Sequence, residues 1–214
     1  MRRFLSVLLL VFSASTLFSL SANSLDLNRN FLVTIDGFRI DFSKIDDEKR
    51  AELLPGYVAQ IETIKSANLP PEMLDLMREI PIIVDPKKPQ EGSHALFTTN
   101  KNQRMGAVIA DLRDLPSNRP ILLHEMIHAW DWNKYSSSNP FILKSFNTAK
   151  SSDFFPNKTS HFMENNKEYF AISSTIYLTG SSEQPPFNCD ILSKRQPEYV
   201  AFLEKLYGDH GFCH

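Results

Sequence analysis

The sequence predicts an α+β fold in a single domain, with a small amino-terminal sheet and a helical carboxyl-terminal half. Three observations carry that expectation: period-two alternation around Asp36-Gly37, a short apolar run from Ile80 to Val84, and helix caps with helical apolar spacing from about residue 117 onward.

From Phe31 to Phe42 apolar and polar residues alternate on both sides of Asp36-Gly37, the dipeptide that favours a tight two-residue turn, so the stretch predicts a β-hairpin. Val58, Ile61 and Ile64 predict a helix from about Tyr57 to Ala67, stopped by Pro70-Pro71. Pro71 can open a second helix, to about Glu79, which leads into the short strand at Ile80 to Val84. Residues 87–103 are polar and punctuated by Gly and Pro, as in a loop or edge hairpin, whereas Ala107 to Leu112 has strand character. Ser117 or Asn118 can cap the next helix, with Pro120 in its first turn and an end near Tyr135. Residues 136–160 predict an irregular connection with one helical turn around Phe141 to Phe146. Helices follow at about Met163 to Leu178 and at Pro197 to Tyr207, the last stopped by Gly208. No internal repeat is visible.

The first residues set Arg2 and Arg3 before an apolar run from Phe4 to Leu20 and small residues at Ala22 to Ser24. That pattern predicts a secretory signal peptide over residues 1–24, an uncleaved anchor being the alternative, and a secreted or periplasmic domain over residues 25–214. About 190 residues suit one domain with a sizeable core. With 23 basic and 25 acidic residues and no basic block interleaved with aromatics, a nucleic-acid partner is not expected. Nor is a membrane span expected once the signal is cleaved. The two cysteines, Cys189 and Cys213, predict one disulfide in an oxidising compartment. The closed loop corresponds to roughly 3 kcal/mol by chain-entropy arguments.

His124-Glu125-Met126-Ile127-His128 matches H-E-x-x-H inside a run that independently predicts a helix. Positions i and i+4 differ by about 40° around a helix and about 6 Å along it, so both imidazoles can converge on one Zn²⁺ ion. Glu125, at the edge of the same face, is placed as general base toward a zinc-bound water. A third ligand is expected from the later helix, and Glu168 is preferred because its apolar neighbours imply burial, where a carboxylate needs a partner. Glu164 is the alternative, in a more polar stretch. Asp131 lies too far along the helix to complete a tetrahedron. It either holds a histidine N–H or is a solvated residue at the helix end. His94, in Glu91-Gly92-Ser93-His94, suits a loop residue better than a ligand. The run invites comparison with peptide deformylase, whose cysteine ligand is here Ser93.

His124 to His128, followed about forty residues later by Glu168-Tyr169-Phe170-Ala171, resembles the gluzincin peptidases, especially the lethal-factor-like and Pro-Pro endopeptidase group. The resemblance covers roughly residues 106–178. It implies a zincin-like fold, a third ligand at Glu168, and an edge strand that binds extended substrate, here Ala107 to Leu112. The group's oxyanion-stabilising tyrosine falls at His161, whose imidazole N–H can serve the same role, an exposed loop histidine being the other reading. Tyr169 and Tyr177 suit helix packing better. The expected function is a zinc endopeptidase acting on protein or peptide substrates. A zinc-binding interaction module without catalysis and a zinc amidase acting on non-protein material are the alternatives.

Overall fold

The computed structural model describes residues 31–87, 94–100, 103–110, 119–155, 157–209 and 212–213. The expected leader, Ser93, the caps at Ser117 and Asn118, and the Asp111-Leu112 end of the anticipated strand lie outside the described residues.

Strand β1 (Leu32–Ile35) pairs antiparallel with β2 (Phe38–Asp41), with Ile35 opposite Phe38. Asp36 and Gly37 both take positive φ, 48° and 88°, as the anticipated two-residue turn requires. Helix α1 (Asp47–Ser66) begins well before the expected Tyr57, because Asp46 caps it through the Lys49 N–H and the chain continues helically past Pro55. Pro55 reads as a breaker in sequence, yet tertiary burial of Leu53, Tyr57, Ile61 and Ile64 holds the helix together. Helix α2 (Pro71–Glu79) starts at the proline that predicted it.

Three further strands, β3 (Ile82–Val84), β4 (Ala95–Asn100) and β5 (Gln103–Ala110), complete a five-stranded mixed sheet in the order β1-β2-β3-β5-β4. Strand β3 lies parallel to both β2 and β5, and β4 is antiparallel to β5. The edge assigned from sequence is therefore displaced. The strand containing Ala107 is interior, and the edge belongs to β4. Ala107, Val108 and Ala110 are fully buried, as an interior strand demands. Of the two readings of residues 87–103, a loop or an edge hairpin, the hairpin holds from Ala95 onward, and an edge strand tolerates Thr98 and Thr99. Gly106 has φ of 85°, and the Phe97 ring from β4 occupies the space that a Cβ there would need. Only glycine meets both demands.

The second half is helical: α3 (Ile121–Tyr135), α4 (Pro140–Ser151), a 3₁₀ turn at His161–Met163, α5 (Asn166–Thr179), α6 (Cys189–Arg195) and α7 (Pro197–Tyr207). Helix α4 exceeds the single turn expected, because the Asn139 side chain accepts from the Phe141 and Ile142 N–H groups and Pro140 occupies the first position. Helix α3 packs on β4 and β5 and also on α1, α2 and α5. Its buried Leu122, Leu123, Met126 and Ile127 tie the sheet to the helical half in one core, so the chain is a single α+β domain. Cys189 and Cys213 form a disulfide, with Cα atoms 4.8 Å apart. Among the described residues no helix is long and apolar enough to cross a membrane.

Gly106→Ala is expected to lower stability by about 1–3 kcal/mol through overlap with Phe97 and the positive φ. The reading is a lower urea midpoint, and an unchanged midpoint would refute the close approach. Peptide mapping without reductant should recover Cys189 joined to Cys213, and Cys213→Ser should cost roughly 2–4 kcal/mol.

Candidate metal centre

Helix α3 opens without a side-chain cap of its own, since Pro120 stands at the cap position. Gln60, buried on α1, takes over: its Oε1 accepts the Leu122 N–H at 3.0 Å, and its Nε2 donates to the Arg119 carbonyl at 2.5 Å. Farther along, Asn133 Nδ2 donates to the Met105 carbonyl of β5 at 2.9 Å. Both ends of α3 are thus anchored to other elements, which fixes the direction in which His124 and His128 point.

Glu168 comes from the first turn of α5, where the Asn165 side chain accepts the Lys167 and Glu168 N–H groups. In sequence, Asn165 and Glu168 have the spacing of a capping box, whose glutamate turns back on its own helix. In the folded chain its carboxylate turns toward α3 instead. Glu168 Oε2 lies 3.2 Å from His124 Nε2 and 3.3 Å from His128 Nε2, and the two imidazole nitrogens are 3.1 Å apart. Potential ligand atoms of these three residues all lie within 4.8 Å of one another, so the group could hold a metal ion. A triangle with such edges is one face of a tetrahedron whose centre stands about 2.0 Å from each vertex, the bond length of a first-row metal ion. All three residues line the cleft.

Glu125 is 7% exposed and sits beside this triangle, with Oε2 accepting the Phe97 N–H of β4 at 2.6 Å. Burial pushes its carboxyl above the usual range, and the Glu168 charge adds to the rise. Charge on His124 and the Phe97 N–H oppose it. Burial also works to raise Glu168, but hydrogen bonds from His124, His128 and His161 outweigh it and hold that carboxyl well below its ordinary value. His161 is at the site, on the 3₁₀ turn, with Nε2 3.0 Å from Glu168 Oε2 and Nδ1 2.8 Å from Glu164 Oε2. These bonds, Glu168 foremost, raise its pKa to about 9 against an opposing effect of burial. Its position is that of a neighbour to the centre, outside the three-residue group.

The other candidates separate clearly. Glu164 is exposed and pairs with His161, not with the two helix histidines. Asp131 is buried and not solvated. Burial raises its carboxyl, while a hydrogen bond from Ser137 and the charge of His128 favour ionisation. His94 lines the cleft mouth. Tyr169 and Tyr177 point away from the centre: Tyr169 bonds the Gln196 side chain, and the Tyr177 hydroxyl donates to the Gly208 carbonyl at 2.5 Å. Ala171, one turn after Glu168, is fully buried, and α5 packs on α3.

Gln60 and Phe97 were missed by sequence reasoning. Gln60 had one signal, a polar residue on the apolar stripe of Tyr57, Ile61 and Ile64. Phe97 had none, because it contributes a backbone N–H that any residue but proline supplies.

Metal analysis of purified protein is expected to find about one ion per chain, mostly lost in His124→Ala, His128→Ala and Glu168→Ala and retained in Glu164→Ala. Full occupancy in the first three variants would reject the centre. Comparison of the chain with protein-family models, with curated proteins and with solved structures found no match.

Proposed function

We propose that this protein is an exported zinc-dependent endopeptidase. The observation that carries the reading is a buried carboxylate, Glu125, set between two histidines whose nitrogens form a compact triangle with Glu168, and aimed by an edge-strand N–H. Two imidazoles and one carboxylate suit zinc. Calcium and magnesium prefer all-oxygen shells. Bound there, zinc supplies Lewis acidity that polarises a carbonyl and makes a water acidic enough to ionise near neutral pH.

The chain's own groups do the remaining work. Glu125 accepts the proton of the attacking water and delivers it to the departing amine, and its raised pKa brings it nearer the operating pH of such a base. The Phe97 N–H fixes one carboxylate oxygen, which aims the group. Strand β4 pairs with β5 on one side, so its other edge can align an extended peptide by main-chain hydrogen bonds. His161, half-exposed at the cleft, has its two ring nitrogens on Glu168 and Glu164, and by giving up one of these carboxylates it supplies an N–H toward the oxyanion. Export is supported by the Arg-led apolar leader and by the disulfide.

Glu125→Gln should retain zinc and fold normally while peptide turnover falls by roughly 10²–10⁴. Wild-type turnover in that variant would remove Glu125 from the mechanism. His161→Phe is expected to lower kcat by about 10–10³ with KM and zinc content nearly unchanged, and His161→Tyr to recover part of the loss. Equal activity in His161→Phe would leave the residue as a surface histidine. Iron in place of zinc on metal analysis would instead point to oxygenase chemistry. Zinc-loaded protein that cleaves nothing in a broad peptide library would favour a binding module.

A further inference from the structure

The cleft has two halves that share His124, Glu125 and His161 and differ in chemistry. One, about 430 Å³, continues past His128, where Leu96, Phe97 and Trp132 share its wall with Ser137, Asn165 and Lys167. The other, about 390 Å³, extends from the start of α3 and is lined by Thr175, Thr179, Ser182 and Gln184, with Arg119 and Glu183 also on its wall. Arg119 Nη2 and Glu183 Oε2 are 2.7 Å apart, an ion pair linking the start of α3 to the loop that leads into α6. Both halves carry polar groups, and what sets the first apart is the exposed aliphatic and aromatic surface of Leu96 and Trp132.

Trp132 is 37% exposed and Leu96 38%, large apolar side chains left open to solvent within the same recess. A single exposed apolar residue needs no explanation, but two lining one recess next to a candidate reaction centre form a binding wall. Trp132 is one helical turn beyond His128. It therefore stands about 6 Å along α3 from that residue and about 12 Å from His124. An extended peptide advances about 3.3 Å per residue, so Trp132 is roughly two to three residues from the point between the two histidines.

Two elements define the direction. Strand β4 begins with Ala95, which lines both halves, and reaches Thr99, which lines the Trp132 half alone. Helix α3 likewise runs from Ile121 in the Arg119 half to Trp132 in the other. A peptide added to an edge strand in the antiparallel sense, the more stable and more common pairing, runs opposite to β4. Its amino-terminal side then lies over Trp132 and its carboxyl-terminal side over the hydroxyl-lined half.

We propose that the substrates are peptides with a large apolar or aromatic side chain two to three residues before the cleaved bond, seated on Trp132 and Leu96. This rests on the endopeptidase reading and specifies its substrate class. The apolar side chain covers Trp132 and Leu96 from water.

The test is cleavage of a randomised peptide library by zinc-loaded wild type, followed by matched peptides carrying Phe or Ala two and three residues before the observed cut. The Phe peptide should be favoured by about tenfold or more in kcat/KM. Trp132→Ala, with zinc content verified, should bring that ratio to within about twofold, and Trp132→Phe should keep most of it. A readout without turnover is fluorescence anisotropy with the zinc-loaded Glu125→Gln variant, which should bind the labelled Phe peptide about tenfold more tightly than the Ala peptide, a preference lost when Trp132→Ala is added. Library cleavage without apolar preference before the cut, apolar preference after it, or an unchanged ratio in Trp132→Ala overturns the inference and leaves the peptidase reading standing. Zinc-loaded protein that cuts no peptide overturns both.

Discussion

Two imidazole nitrogens and a carboxylate oxygen, all 3.1–3.3 Å apart and facing one point, are the constraint around which the rest of the molecule is organised. Electron-rich atoms do not gather in this way at low energetic cost. Each is partly withdrawn from water, and a buried carboxylate or imidazole is tolerated only where neighbours or an ion compensate it. The two helices that carry these atoms must therefore be held firmly before any ion arrives. Helix α3 is held at its start by Gln60 and farther along by Asn133. The first turn of α5 is organised by the side chain of Asn165.

Behind the centre, α5 is fastened to the last helices through hydroxyls as well as apolar packing. Ser173 Oγ bonds the Tyr199 hydroxyl at 2.9 Å, Tyr169 bonds Gln196, and Gln196 Nε2 donates to the Ser145 carbonyl at 3.1 Å. Burial pushes the phenols of Tyr169 and Tyr199 well above their ordinary pKa, so both stay neutral hydrogen-bonding groups across the physiological range. A satisfied network of this kind confers rotational specificity on a helix that uniform apolar contacts lack. For α5 the rotation matters, because it decides whether Glu168 faces α3 or its own cap. The Cys189–Cys213 bridge adds a covalent tie at the far end of the same helical layer.

In front of the centre, backbone geometry has as much influence as side-chain identity. Gly106 lets the Phe97 ring lie across β5, and this close crossing sets where the Phe97 N–H meets Glu125. The carboxylate proposed as the base is thus aimed by an edge strand whose own position depends on a glycine in the neighbouring strand.

Much of this was legible in the residues themselves. The hairpin at Asp36-Gly37, the proline starts of α2 and α7, the helical setting of His124 to His128 and the disulfide pair are local or pairwise signals, and the fold repeats them. A helix fixes the relation of residues four apart whatever surrounds it, so the two histidines could be paired from spacing alone. Burial inferred from the apolar neighbours of Glu168, and its match to the resembled group, pointed to it as a candidate third ligand, and the fold brings it beside the histidines. Spacing could not decide that, because a glutamate three residues after a capping asparagine is equally at home turned back on its helix. Only the packing of α5 on α3 chose between them. For the edge strand the sequence offered a loop or an edge hairpin over residues 87–103, and only sheet order assigns the edge to β4 and the interior to β5. Gln60 and the Phe97 N–H likewise act on partners distant in sequence, at 62 and 28 residues, and such relations exist only once the chain has packed.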